Sequence, residues 1–223
     1  MLIPDAFDAD QIVGACKDGG LQGLIVVAKH HDGFCLFPSK FTDYTIKNTP
    51  YEDGNGDLLK ELSESCKRYD MGFGVYLSPW DRHEKTYGTE EYNDFFVNQL
   101  TEVCSNYGKL FSVWFDGACG EGENGKKQVY DWNRYYAVVR ALQPGACISI
   151  CGPDVRWIGN ENGKRKPSEF AVVPATDDFQ QVVMASSQHE EGERVMLDHN
   201  ADISEFSGDR DSLKNRPVCW QQS

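Results

Sequence analysis

Gly23-Leu24-Ile25-Val26-Val27-Ala28-Lys29 runs apolar without a break until its final lysine, and His30-His31-Asp32-Gly33-Phe34 follows at once. A strand with one wet face alternates apolar and polar side chains. A run this uniform reads instead as a strand buried on both faces, as in a parallel sheet covered by helices. Three more such runs follow: residues 72–78 (GFGVYLS), 110–115 (LFSVWF) and 146–151 (ACISIC). Helical periodicity fills the intervals. Asp8 with Gln11 reads as a capping box for a helix that carries Ile12 and Cys16 and ends at Gly19-Gly20. Residues 57–69 put Leu58, Leu59, Leu62 and Cys66 on one face. Residues 90–107 carry the stripe Tyr92, Phe96, Leu100, Val103 and Tyr107, stopped by Gly108. Residues 128–142 direct Val129, Trp132, Tyr136, Val139 and Leu142 inward before Pro144-Gly145.

Strands alternating with helices imply parallel βαβ units, so the fold class is α/β. A barrel of eight such units takes about 250 residues or more. This chain has 223 residues, four firm strands and weaker signals at residues 170–173 and 195–197. The expectation is therefore a (β/α)8-like, TIM-type barrel that is incomplete here, as one domain over 1–223. Residues 175–223 are its weakly patterned C-terminal part.

Composition narrows the function. The formal net charge is −13. That disfavours nucleic acid and anionic membrane surfaces as partners, and it suits a neutral substrate such as a sugar. An aromatic content of 12 % fits sugar stacking as well as a ring-rich core. None of the eight cysteines forms a C-x-x-C pair, and most read as small buried hydrophobes, with Cys119 the most exposed. No apolar run reaches the length of a membrane span. Met1-Leu2-Ile3-Pro4-Asp5 carries no basic n-region or apolar h-region, so no signal peptide is read here.

The chemistry gathers where the strands stop. After residues 72–78 come Pro79-Trp80-Asp81-Arg82-His83, and after residues 146–151 come Gly152-Pro153-Asp154-Val155-Arg156-Trp157 and then Glu161. The third strand delivers Trp114-Phe115-Asp116-Gly117, with Trp114 and Asp116 on one face because strand side chains alternate. In parallel barrels the carboxyl ends of the strands form the active-site face. An Asp at a strand end is either a turn cap or a reactive group, and four loaded strand ends favour the second. Two carboxylates, Asp116 and Glu161, fit the glycosidase requirement for a nucleophile or base and a separate acid. Glu161 near Trp157 would be held protonated to act as that acid. His30-His31-Asp32 invites a metal reading, but adjacent strand histidines point to opposite faces. The geometry is freer if the strand ends by His30. Histidines bonded to sugar hydroxyls are the better reading.

Ala28-Lys29-His30-His31-Asp32-Gly33-Phe34 and Trp114-Phe115-Asp116-Gly117-Ala118 resemble motifs of the α-L-fucosidases of glycoside hydrolase family twenty-nine. Residues 78–82 (SPWDR) and 152–161 (GPDVRWIGNE) are closest to its branch acting on α-1,3 and α-1,4 fucosyl linkages. The resemblance covers residues 7–174. It implies removal of terminal fucose from oligosaccharides by a retaining mechanism on a (β/α)8-like barrel. It implies Asp116 as nucleophile and Glu161 as acid/base, His30 and His31 as fucose-binding residues, and Trp114 and Tyr76 as pocket walls. Asp81, His83 and Trp157 would touch the rest of the oligosaccharide. No cofactor or metal is implied, the partner is a fucosylated oligosaccharide, and the compartment is extracytoplasmic. The family's first strand, with a further histidine, has no counterpart before Leu21, nor do its last barrel strands after residue 223, so the chain reads as a fragment. Two alternatives remain: a fucose-binding remnant without turnover, and a metal-dependent hydrolase using His30, His31 and Asp116.

Overall fold

The computed structural model describes residues 7–150 and 154–156. Helix α1 (Ala9–Asp18) leads into strand β1 (Gly23–Lys29). Two short 3-10 turns, Ile46–Asn48 and Tyr51–Gly54, precede α2 (Leu58–Arg68) and β2 (Gly72–Leu77). Then come α3 (Glu90–Asn106), β3 (Leu110–Phe115), α4 (Trp132–Leu142), β4 (Cys147–Ile150) and the two-residue β5 (Val155–Arg156). The strands form one sheet in the order β1-β2-β3-β4-β5, every neighbouring pair parallel. Helices α2, α3 and α4 each connect neighbouring strands, as the alternating pattern requires. The weaker strand signals at 170–173 and 195–197, and residues 175–223 as a whole, lie outside the described residues.

The helices start where aspartates can cap them. Asp8, Asp57 and Asp131 accept the backbone N–H of Gln11, Lys60 and Arg134, at 2.9, 3.0 and 3.1 Å. Each satisfies a donor with no partner inside the helix. Asp131 corrects the expected start of α4. Residues 128–131 lie before the helix, and Val129 is 75 % exposed. Gln128 holds that segment extended, donating to the carbonyls of Thr89 and Val129 and accepting from the Gly88 N–H. The buried side of α4 is Trp132, Tyr135, Tyr136 and Val139, and Leu142 is exposed. In α1 the buried positions are Ala9 and Val13, while Ile12 is exposed.

The core lies between one face of the sheet and these helices. Val75, Leu77, Val113, Phe115 and Ile148 meet the expected stripe of α3 (Tyr92, Phe96, Leu100, Val103) and Tyr135, Tyr136 and Val139 of α4. Among the described residues nothing covers the opposite face, where Val27 and Phe111 are 41 % and 37 % exposed. The Phe111 ring lies over the backbone of three glycines, and a Cβ on Gly23 or Gly72 would come within 2.9 Å of it, on Gly74 within 3.1 Å. Glycine in a strand interior here marks a close approach across the sheet.

After β4, Asp154 accepts the Ile148 N–H at 2.8 Å and pairs with Arg140, which places β5 beside β4. Asp154 is thus a structural carboxylate.

Candidate active site

Asp116 follows β3 directly, so its side chain leaves the sheet on the face set by Trp114, opposite the buried Phe115. Tyr76, one residue before the end of β2, donates its hydroxyl to Asp116 Oδ2 at 2.8 Å. The Ala118 N–H reaches Oδ1 at 2.8 Å. One donor on each oxygen fixes the carboxylate's orientation and leaves a lone pair of each oxygen directed outward. The loop behind it is braced from below. The hydroxyls of Tyr87 and Tyr130 lie 3.0 Å apart, and each stands 3.1 Å from a loop carbonyl, Gly120 for Tyr87 and Ala118 for Tyr130. Cys119, expected to be exposed, is half-buried against the Gln128 carbonyl.

β1 ends at Lys29, so His30 and His31 lie beyond the strand and escape its alternation. Their ring centroids are 4.1 Å apart. His30 stacks on Tyr76 at 5.6 Å, and Tyr76 lies 6.3 Å from Trp114. His31 Nε2 stands 3.9 Å from Asp116 Oδ2. Five of the residues singled out in the sequence (His30, His31, Tyr76, Trp114 and Asp116) thus form one constellation. Glu161 and Trp157 lie outside the described residues.

The tautomer of His31 follows from its neighbours. Ser78 Oγ lies 2.7 Å from the Trp80 carbonyl, which only accepts, so the single hydroxyl proton points there. His31 Nδ1, 2.7 Å from the same Oγ, must then be the donor. Burial holds the His31 pKa below the ordinary imidazole range, against the pull of Asp116. The ring is therefore neutral at neutral pH, with the Nε2 lone pair facing the carboxylate. Two acceptors confront each other across 3.9 Å, a gap suited to a donor such as a hydroxyl.

The histidine segment is anchored by a pair that sequence reasoning missed. Lys29 is fully buried, and its Nζ meets Asp81 Oδ2 at 2.8 Å and Gln99 Oε1 at 2.9 Å. Three aromatic rings, of Tyr92, Phe95 and Phe96, lie within 5.9 Å of the ammonium. Asp81 Oδ1 accepts the N–H groups of His83 and Glu84 at 2.9 Å. Asp81 is accordingly occupied and buried, and is not placed to touch an oligosaccharide as expected. Burial pushes its pKa up, but Lys29 and the two N–H donors outweigh that and hold it below the usual carboxylate range. The signal was present in the sequence: a lysine closing an apolar strand needs a buried partner. The same contact explains Gly33, whose φ is +84° and where any Cβ would collide with Asp81 Oδ1.

Among the described residues no group of three His, Cys, Asp or Glu side chains is arranged to hold a metal ion. The arrangement is instead a carboxylate with directed lone pairs, neutral hydrogen-bonding groups around it and aromatic walls. It stands at the carboxyl ends of parallel strands, the face on which barrel enzymes carry their active sites.

The model of the Alpha-L-fucosidase family matches residues 1–191, and the chain belongs to that family. It is 48 % identical over 162 residues to Alpha-L-fucosidase 1 of Arabidopsis thaliana, covering 72 % of this chain and 32 % of that protein. Among solved structures, a crystal structure described as an alpha-L-fucosidase of Bacteroides ovatus is 53 % identical with a TM-score of 0.69, covering 71 % of this chain and 28 % of that one. A Ruminococcus gnavus fucosidase of glycoside hydrolase family twenty-nine, solved as a mutant in complex with fucose, is 33 % identical with a TM-score of 0.69. It covers 80 % of this chain and 41 % of that one. The chain spans about a third of the length of the plant relatives it matches, 32 % and 31 %.

Proposed function

We propose that this chain carries the nucleophile side of a retaining α-L-fucosidase, within one partial barrel domain over 1–223. The observation that carries the reading is the Asp116 carboxylate, held by Tyr76 and Ala118 beside His31 at a strand end. In this reading Asp116 attacks the anomeric carbon of fucose and forms a covalent glycosyl ester. Glu161 protonates the departing glycosidic oxygen, then takes a proton from the water that cleaves the ester. A fucose hydroxyl donates to His31 Nε2, His30 binds a second hydroxyl, and Tyr76 and Trp114 wall the pocket. As the ester forms, charge leaves Asp116 and the Tyr76 bond weakens, so Tyr76 tunes the nucleophile as well as aiming it. The motif at residues 152–161 supports α-1,3 and α-1,4 linkages as the preferred substrates.

The test is covalent trapping. The full-length protein is treated with a 2-fluoro-fucosyl inactivator, digested and sequenced by mass spectrometry. The expected result is one fucosyl adduct on Asp116, with Asp116→Ala losing about 10³-fold or more of turnover. An adduct on another carboxylate overturns the assignment of the nucleophile. Binding of fucose with no adduct and no turnover identifies a binding remnant.

A further inference from the structure

Ala118 is held at both ends. Its N–H donates to Asp116 Oδ1 at 2.8 Å, and its carbonyl stands 3.1 Å from the Tyr130 hydroxyl. Two residues on, the Gly120 carbonyl stands 3.1 Å from the Tyr87 hydroxyl, and the Trp80 ring lies so close to Gly120 that no Cβ fits there. Cys119, between them, directs its thiol to the Gln128 carbonyl at 3.2 Å. The turn that follows the carboxylate is thus gripped from two sides. Tyr87 comes from the segment between β2 and α3, and Gln128 and Tyr130 come from the segment before α4. The rings that carry the two hydroxyls are buried and fixed by packing. Tyr87 meets Tyr92 edge-on at 4.9 Å, and Tyr130 meets Trp132 edge-on at 5.2 Å. Trp132 in turn meets Phe115, the residue before Asp116, at 5.9 Å. Burial pushes both phenols above the ordinary tyrosine range, so they stay neutral and bring no negative charge to the turn behind the nucleophile.

A count of protons separates the two phenols. Their oxygens are 3.0 Å apart, so the pair makes three short contacts with only two phenolic protons. The Cys119 thiol is 3.9 Å from the Tyr87 hydroxyl but 3.2 Å from the Gln128 carbonyl, so its proton goes to the carbonyl and does not supply a third. The carbonyls of Ala118 and Gly120 and the facing phenol oxygen therefore compete for two donors. Without the Tyr87 hydroxyl, the Tyr130 proton keeps a single acceptor among these groups, the Ala118 carbonyl. Without the Tyr130 hydroxyl, the Ala118 carbonyl loses its phenol donor, while Tyr87 still reaches Gly120. Only one of the two hydroxyls acts on the residue that holds Asp116.

We propose that Tyr130 is a positioning residue for the nucleophile: by holding Ala118 from its carbonyl side it keeps the Ala118 N–H on Asp116 Oδ1. Tyr87 backs the turn without aiming the carboxylate. The proposal rests on the fucosidase reading above, in which Asp116 attacks. The residues that would bind fucose, His30, His31, Tyr76 and Trp114, all lie outside the turn and the segment that carries Tyr130. Loss of the Tyr130 hydroxyl therefore acts on the attack and not on sugar binding.

The experiment measures, in the full-length protein, the rate at which a 2-fluoro-fucosyl inactivator labels wild type, Tyr130→Phe and Tyr87→Phe over a range of inactivator concentrations. Tyr130→Phe is expected to lower the saturating labelling rate about three- to tenfold, the scale of one neutral hydrogen bond, and to leave the half-saturating concentration within about twofold of wild type. Tyr87→Phe should lower the saturating rate less than about twofold, although each variant loses one buried hydroxyl and both should lose similar thermal stability. An equal fall in both variants, or a wild-type rate in Tyr130→Phe, overturns the proposal. Hydrogen–deuterium exchange of the peptide spanning residues 116–120 reads the hold on the turn without any chemistry, and should be faster in Tyr130→Phe than in wild type. A wild type that forms no adduct on Asp116 rejects the nucleophile reading, and the exchange result then decides separately. Faster exchange in Tyr130→Phe keeps its hold on the turn, and unchanged exchange rejects it.

Discussion

At the residue scale, the pair Lys29–Asp81 ties two strand ends together. Removing one partner of a buried pair strands the other charge, at a cost of about 3–5 kcal/mol. Lys29→Met should lower stability by that amount in urea unfolding. Lys29→Met with Asp81→Asn should recover part of it, because the amide oxygen can still accept from His83 and Glu84. A single variant within about 0.5 kcal/mol of wild type would show that water reaches the pair. The pH dependence has a definite sign. Asp81 titrates lower folded than unfolded. Its contribution is therefore complete above the unfolded value of about 4 and is lost as pH falls through the folded one. Ser78 orients His31, so its removal should affect chemistry more than folding. Ser78→Ala frees the His31 tautomer and should lower kcat/KM about three- to tenfold, the worth of one neutral hydrogen bond. A loss equal to that of His31→Ala would mean that Ser78 does more than orient. Asp116 and the histidines were legible because their residue types stand out at strand ends. Ser78 was not, because a serine's role depends on which atoms surround its one proton.

At the element scale, the apolar runs located β1 to β4 to within a residue or two, since a strand buried by a helix layer has no polar position to hide in. The start of α4 was less legible. Val129 keeps helical spacing with Trp132 and Tyr136, yet Asp131 caps the helix two residues later and Gln128 bonds sideways to the segment before α3. A side-chain bond made 40 residues away leaves no periodic trace. Asp131→Ala should therefore cost about 1 kcal/mol, the typical worth of an N-cap. Val129→Ser should be neutral within about 0.5 kcal/mol, as expected of a surface site. If thermal unfolding ranked these two the other way, the helix would begin near residue 128 after all. β5 was invisible for a related reason: two residues carry no period, and Asp154 rather than any apolar pattern sets their position.

At the scale of the whole molecule, the sheet has, among the described residues, one covered face and one uncovered face. Helices cover the first, while Val27 and Phe111 stand in the open on the second, which would form the interior of a closed barrel. β1 has β2 as its neighbour and, among the described residues, no strand on its other side. An open, apolar-faced edge strand is a template for association. The chain expressed alone should therefore bind a hydrophobic dye and sediment as oligomers at micromolar concentration. Val27→Lys with Phe111→Lys should shift it toward monomer. In the full-length protein the same double substitution would place two charges inside the barrel, and stability should fall by several kcal/mol. The opposite signs are the content of the prediction. A face that is merely surface would tolerate lysine in both settings. A monomeric, dye-silent chain whose full-length counterpart also accepts the lysines would show that this face is not an interior.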